Sequence, residues 1–308
     1  MTTLTALTTL NSLTTGMKNA RRAVVVALTA AAVTTAAAVA VPAQAAATKA
    51  PAIAAHGGFV MNNAKGSALF GKAADTRRST GSTTKIMTAR VVLGRPKLNL
   101  DAKVTVQKAY SDYIVAKKAS SARLIVGDRV TVRQLLYGLM LPSGCDAAYA
   151  LADTYGSGST RSARVKSFIG KMNTTARQLG LKNTHFDSFD GISNGGNYST
   201  PHDLTKLASN AMRFTVFRAV VKTRSTKQKV TTKSGGYRYM AWTNTNELLG
   251  RYSGMTGVKT GSGPEAGYCL VFAVTRGKKT VIGTVLGAKT EAARAKDVKR
   301  VLDYALRK

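Results

Sequence analysis

Strand patterns gather at the two ends of this chain and helical patterns fill its middle, an arrangement that leaves few ways to fold. Near the front, Gly58-Phe59-Val60-Met61-Asn62-Asn63 and Ser67-Ala68-Leu69-Phe70-Gly71 flank the turn Ala64-Lys65-Gly66, the pattern of a β-hairpin. Toward the end, strands are predicted over 257–260, 267–275 and 280–286, with Arg276-Gly277-Lys278 turning the last pair and a helix over 291–306 closing the chain. Between them, Thr131 can cap a helix that carries Leu135, Leu136 and Leu139 on one face and stops near Pro142. A second amphipathic helix is predicted over 162–179, ending at Gly180. With no internal repeat and no long linker, strands from both ends share one sheet, and the helical middle lies beside it.

Residues 1–45 carry Lys18, Arg21 and Arg22, no acidic residue, an apolar run over 23–41 and the small-residue site Ala43-Gln44-Ala45. This reads as a signal peptide cut after Ala45. The competing reading is an uncleaved anchor, since about 18–25 apolar residues span a bilayer. Threonines in the run and the cleavage site directly after it favour export. The flanks of Arg21-Arg22 match a twin-arginine signal poorly, so the route stays open. Removal of this segment leaves 263 residues, enough for a sizeable core. Of these, 46–56 read as a flexible alanine-rich linker and 57–308 as one domain.

Charge and cysteine usage bound the partners. The chain has 46 basic and 14 acidic residues, a formal charge of +32, and still +29 without Lys18, Arg21 and Arg22. A field of that sign attracts polyanions. The basic residues are scattered along the sequence with no stripe of interleaved aromatics, so nucleic acid is not expected. For an exported protein the nearer polyanions are anionic wall polymers, and retention at the wall is the expectation, with a merely soluble charged surface as the alternative. Cys145 and Cys269 are too few for a disulfide scaffold, and each adjoins a different motif, so a bridge between them is not expected. His56, His185 and His202 have no metal-binding spacing and read as surface or core histidines.

The chemistry begins at Ser82-Thr83-Thr84-Lys85. Residues three apart share a helix face, so the Ser82 hydroxyl and the Lys85 amine can meet if a helix starts at or just after Gly81. Ile86, Ala89, Val92 and Leu93 continue that helix, and Gly94 and Pro96 stop it. A serine at the positive end of a helix has backbone N–H groups to stabilise an oxyanion. Lys85 must lose a proton to act as its base; burial, the helix start and a nearby cation would lower its pKa from about 10.4. Alone, the motif is weak. Ser143-Gly144-Cys145, after Pro142 and before a helix that Asp146 can cap, and Lys259-Thr260-Gly261, at a strand end, change that. Together the three match the S-x-x-K, S-D-N and K-T-G set of penicillin-binding proteins and β-lactamases.

On these motifs the chain resembles the low-molecular-mass penicillin-binding proteins that are serine D-alanyl-D-alanine carboxypeptidases, peptidase family S11. The resemblance runs from Arg77-Arg78 and Gly81 through Leu139 to Ala148, Asp190-Gly191, Thr200-Pro201-His202-Asp203-Leu204, Asn244-Thr245-Asn246 and Gly257 to Cys269. It implies an α/β (α+β) fold, an antiparallel sheet of about five strands flanked by helices with a mainly helical lobe beside it, the site lying in the cleft between. Ser82 would attack the peptide carbonyl between two D-alanines of a peptidoglycan stem peptide. Lys85 would take its proton, and Ser143 would relay a proton to the leaving amine. Lys259 and Thr260 would bind the terminal carboxylate of the substrate, or that of a β-lactam inhibitor. The oxyanion would lie against the backbone N–H groups of Ser82 and Ser262. The enzyme would work as a monomer with no metal and no organic cofactor.

One position departs from the pattern, because Cys145 stands where the family has Asn. An amide donates and accepts, whereas a thiol does both weakly, so substrate holding and the choice of acyl acceptor are open at Cys145. Cys145 as nucleophile is the poorer reading, as no histidine partner is evident. The only glutamates are Glu247, Glu265 and Glu291, none of which lies between the second and third motifs in an E-x-x-N context, which argues against a class A β-lactamase. Three readings therefore stand: a DD-carboxypeptidase with or without transpeptidase activity, a β-lactamase, and a non-catalytic wall-binding module. The chain ends at Lys308 directly after its last helix, so a soluble or wall-held enzyme is expected over a membrane-bound one.

Overall fold

The computed structural model describes residues 49–308; the segment read as a signal peptide lies outside them. In chain order the elements are β1 (Gly57–Asn62), β2 (Ala68–Lys72), a 3-10 turn (Gly81–Thr84), α1 (Lys85–Leu93), β3 (Lys103–Thr105), α2 (Lys108–Lys117), β4 (Arg129–Thr131), α3 (Val132–Met140) and α4 (Cys145–Tyr155). Then come α5 (Arg161–Gln178), α6 (Pro201–Ala211), α7 (Thr215–Lys222), β5 (Ser225–Thr231), β6 (Tyr237–Thr243), β7 (Met255–Gly263), β8 (Gly267–Arg276), β9 (Lys279–Ala288) and α8 (Glu291–Arg307). No helix among the described residues is long and apolar enough to cross a membrane.

The strands from the two ends form one antiparallel sheet in the order β2-β1-β9-β8-β7, as their positions in the sequence required. The central strands β8 and β9 read as near-continuous apolar runs because both faces are covered. Leu270, Phe272 and Val274 of β8 and Val281 and Val285 of β9 face Val298, Val301, Leu302 and Ala305 of α8. The alternate residues Val271, Ala273, Ile282 and Leu286 belong to the core shared with Leu204, Leu207, Ala208 and Ala211 of α6. Each such Leu, Ile or Phe contributes about 1.5–3 kcal/mol on burial, which makes this sheet the rigid frame of the molecule.

Local signals set the helices of the middle. Thr131 and Gln134 form a reciprocal capping box that starts α3, and Thr160 caps α5, which ends beside Gly180 at φ 65°. Three expectations need correcting. Gly94 ends α1 at φ −80°, so it stops the helix without the left-handed cap that glycine usually provides. Asp146 lies inside α4, whose N-cap is Gly144, and its carboxylate mainly accepts from a neighbouring loop, from Ala122 N at 2.8 Å, Leu124 N at 3.1 Å and Ser121 Oγ at 2.8 Å. The stretch read as a flexible linker is tied down at its end: Ile53 is buried, and Ala54 and Ala55 donate their N–H groups to the buried Asp297 carboxylate at 3.1 and 2.7 Å.

A second antiparallel sheet, β3-β4-β5-β6, was not expected in the helical middle. Its inner face holds Val130, Val230, Met240 and Trp242 against the helical lobe. The alternation of Tyr237, Tyr239 and Ala241 with buried Met240 and Trp242 was its one strong signal.

Candidate active site

The 3-10 turn at Gly81–Thr84 presses its backbone against β7. A Cβ on Gly81, at φ 49°, would come within 2.8 Å of the Ser262 carbonyl oxygen, and one on Gly261 within 2.7 Å of the Thr80 carbonyl oxygen. Only glycine allows the two chains to approach so closely. Buried hydroxyls hold the turn from behind. Thr80 and Thr84 hydroxyls meet at 2.9 Å, the Asn197 amide donates to both at 3.2 and 2.9 Å, and Thr83 Oγ1 donates to the Thr80 carbonyl at 2.8 Å. Ser82 therefore stands in a tight turn ahead of α1, and Lys85 is the first residue of the helix proper.

The Lys85 amine donates to Ser82 Oγ at 2.9 Å and to the Asp190 carbonyl at 2.9 Å, and Lys85 is fully buried. Asp190 is buried too; its carboxylate accepts from the Tyr113 hydroxyl and the Ile192 N–H, each at 2.9 Å. Burial and this carboxylate push the Tyr113 hydroxyl pKa far up, so it remains a donor. Neither Tyr113 nor Ser120 was signalled in the sequence. Asp190 stood out only within the family resemblance, because nothing local announces a carboxylate whose backbone carbonyl holds a lysine 105 residues away.

Ser143 stands at φ 65° between α3 and α4, and its buried hydroxyl has no hydrogen-bond partner. Its carbonyl accepts from Ser120 Oγ at 2.6 Å, and Ser120 Oγ lies 3.5 Å from Cys145 Sγ. Burial raises the Cys145 pKa, the Lys85 charge lowers it and Asp190 raises it again, leaving it above the usual thiol value. A thiol held protonated is a poor nucleophile. Cys145 and Cys269 are both free, and Cys269 is pushed up to about 11 by burial.

Lys259, at 1 % exposure, donates to its neighbour's carbonyl, Thr260 O, at 3.0 Å and approaches Thr260 Oγ1 at 3.4 Å. Thr260 Oγ1 in turn meets Thr245 Oγ1 at 2.6 Å. Burial first, then the charge of Lys85, drive the Lys259 pKa well below the ordinary lysine range. A cleft of about 470 Å³ is lined by Ser82, Cys145, Gly191 and Ser262 together with Lys117, Lys118 and Glu265. A larger hollow of about 760 Å³ between Arg224 and Arg251 contains none of the motif residues. Of the three glutamates, Glu247 pairs with Arg294 at 2.7 Å and Glu291 lies on α8, so Glu265 alone borders the cleft.

Comparison with known proteins agrees with this geometry. A D-alanyl-D-alanine carboxypeptidase family model, Peptidase_S11, matches residues 43–290. A D-alanyl-D-alanine carboxypeptidase of Streptomyces sp. (strain K15) is 66% identical over 289 residues, covering 94% of this chain and 99% of that relative. The D-alanyl-D-alanine carboxypeptidase DacF of Bacillus subtilis (strain 168) is 32% identical, covering 78% of this chain and 59% of that protein. The crystal structure of the Streptomyces K15 DD-transpeptidase, 69% identical, superposes with a TM-score of 0.84 over 84% of this chain and 100% of that one. On motifs, architecture and kinship together, this chain belongs to the D-alanyl-D-alanine carboxypeptidase family, Peptidase_S11.

Proposed function

We propose that this chain is a serine-type D-alanyl-D-alanine carboxypeptidase that acts on peptidoglycan stem peptides through an acyl-enzyme on Ser82 and is inhibited by penicillin. The observation that carries this reading is the 2.9 Å contact between the buried Lys85 amine and the Oγ of Ser82, which lines the cleft. Once neutral, the Lys85 amine has a lone pair directed at the serine proton while the Asp190 carbonyl fixes its other face. Ser82 Oγ attacks the carbonyl between the two D-alanines, and the proton passes to Lys85. The oxyanion rests against the backbone N–H groups of Ser82 and Ser262. The Ser143 hydroxyl, which no protein group engages, carries the proton on to the leaving D-alanine amine. Protonated Lys259, with Thr260, holds the terminal carboxylate. Water then releases the acyl group. Cys145 lines the wall beside the acyl chain as a protonated thiol. The basic, apolar segment ahead of Ala45 supports export of the enzyme from the cytoplasm.

A second reading, DD-transpeptidation, is favoured by the likeness to the 69% identical Streptomyces K15 DD-transpeptidase and by the thiol that stands at Cys145. An amine acceptor would then replace water at the same acyl-enzyme. The test is covalent labelling by a fluorescent penicillin, with D-alanine release from a peptide ending in D-Ala-D-Ala measured with and without an amine acceptor. Labelling that is lost in Ser82→Ala, together with D-alanine release, is the expected result. Labelling that persists in Ser82→Ala, or an unlabelled wild type, would overturn the assignment of Ser82. Rapid penicillin turnover would replace it with a β-lactamase.

A further inference from the structure

The four-stranded sheet turns a face to solvent that carries only one sign of charge. Across the 20 residues of β3, β4, β5 and β6 there are five cations and no acidic residue. Arg238 is held by Asp128 at 2.8 Å on the inner side. The register brings the other four, Lys103, Arg129, Lys227 and Lys229, to the outer face together with Tyr237 and Tyr239. None of those four has a carboxylate within 4.0 Å among the described residues. The tyrosines are 61 % and 54 % exposed. The Lys229 amine lies 4.0 Å from the Tyr237 ring centre, and the Lys227 amine 4.8 Å from that of Tyr239. The sequence hid this patch because its lysines and tyrosines lie on different strands.

We propose that this outer face docks a linear phosphodiester polymer of the poly(alditol phosphate) kind, independently of the cleft. Neighbouring strands lie about 4.8 Å apart and alternate residues along a strand about 6.7 Å, so the cations form an open grid for charges repeated along one chain. Three of the four are lysines, which bind phosphate as mobile point charges, and Arg129 adds a planar fork that can pair with two phosphate oxygens. Nucleic acid is the poorer occupant, because a base needs an open ring face to stack on and each tyrosine already has a lysine amine above its ring. Exposed serine and threonine hydroxyls, Thr105, Ser225 and Thr243, add donors at the edges.

Binding of the purified protein to a fluorescent poly(glycerol phosphate), followed by anisotropy at low and at physiological salt, tests this. Lys227→Ser/Lys229→Ser is expected to weaken binding by about tenfold at low salt and to flatten its salt dependence. Lys296→Ser/Lys299→Ser on α8, which removes the same charge elsewhere, is expected to leave affinity unchanged. Penicillin labelling of Ser82 serves as the folding control in both. Equal losses in the two variants would reduce the effect to net charge and overturn the site. Polyglutamate or a single-stranded oligonucleotide that displaced the polymer at equal charge concentration would overturn its chemistry.

Discussion

Lys259 on β7 and Lys229 on β5 are the same residue on the same kind of element in opposite surroundings. Lys259 is fully enclosed, bonded to Thr260 and close enough to Lys85 for the two charges to oppose each other. Lys229 stands in solvent over a tyrosine ring, with no carboxylate within reach. The frame sheet, covered on both faces, confines its lysine and changes its acidity. The small sheet, covered on one, leaves its lysines exposed to solvent. Burial, more than residue type, separates the lysine of the enclosed sheet from those of the half-covered one.

If that contrast is real, substitutions on the two sheets should differ by orders of magnitude. The largest loss is expected beside the frame sheet: Lys85→Met should slow acylation by penicillin about 10²–10⁴-fold while leaving the melting transition cooperative. Stopped-flow labelling reads this directly, and a rate near wild type would end the base assignment. Next, Phe272→Ala on β8 should cost about 3–5 kcal/mol in denaturant unfolding, because its ring is fully enclosed between β9 and α8.

A third effect is pH-dependent. Because the Lys259 pKa is depressed, its amine sheds the proton at a lower pH than a free lysine does. KM for a peptide with a free terminal carboxylate should therefore rise as pH climbs through that depressed value, and Lys259→Arg should flatten the rise. Stability moves the other way. Between the depressed value and the ordinary value of about 10.4 the unfolded chain binds the extra proton, so stability increases with pH across that window and is penalised below it. Lys259→Met should remove this slope; a slope that persisted would assign it to another group. Smallest of all, Tyr239→Ser on the outer face of β6 should shift unfolding by no more than about 0.5 kcal/mol and leave labelling intact. A larger cost would show that the small sheet is part of the frame.

The contrast also explains what could be read in advance. The frame sheet was legible because apolar runs at both ends of the chain had nowhere else to pair, and the later strands proved longer than their apolar centres, as at Met255–Gly263. The motif residues were legible because Ser82 and Lys85 are three apart on one turn. Tyr113 and Ser120 were not, and Asp190 only through the family resemblance, since each enters through tertiary contacts from 23 to 105 residues away. The small sheet was missed for a third reason. Strands of three residues at Lys103–Thr105 and Arg129–Thr131 are too short to establish a period, and the lysine-rich Ser225–Thr231 looked like solvated loop.

The backbone contact between the Ser82 turn and β7 has one further consequence. Because Gly81 and Gly261 let main chain meet main chain, the position of Ser82 is referred to the sheet itself and to no side chain in between. A lineage could exchange much of the packing around this turn and keep its serine in register. A single methyl group added at either glycine would move it, and in an otherwise intact enzyme that is where a silent loss of penicillin sensitivity would begin.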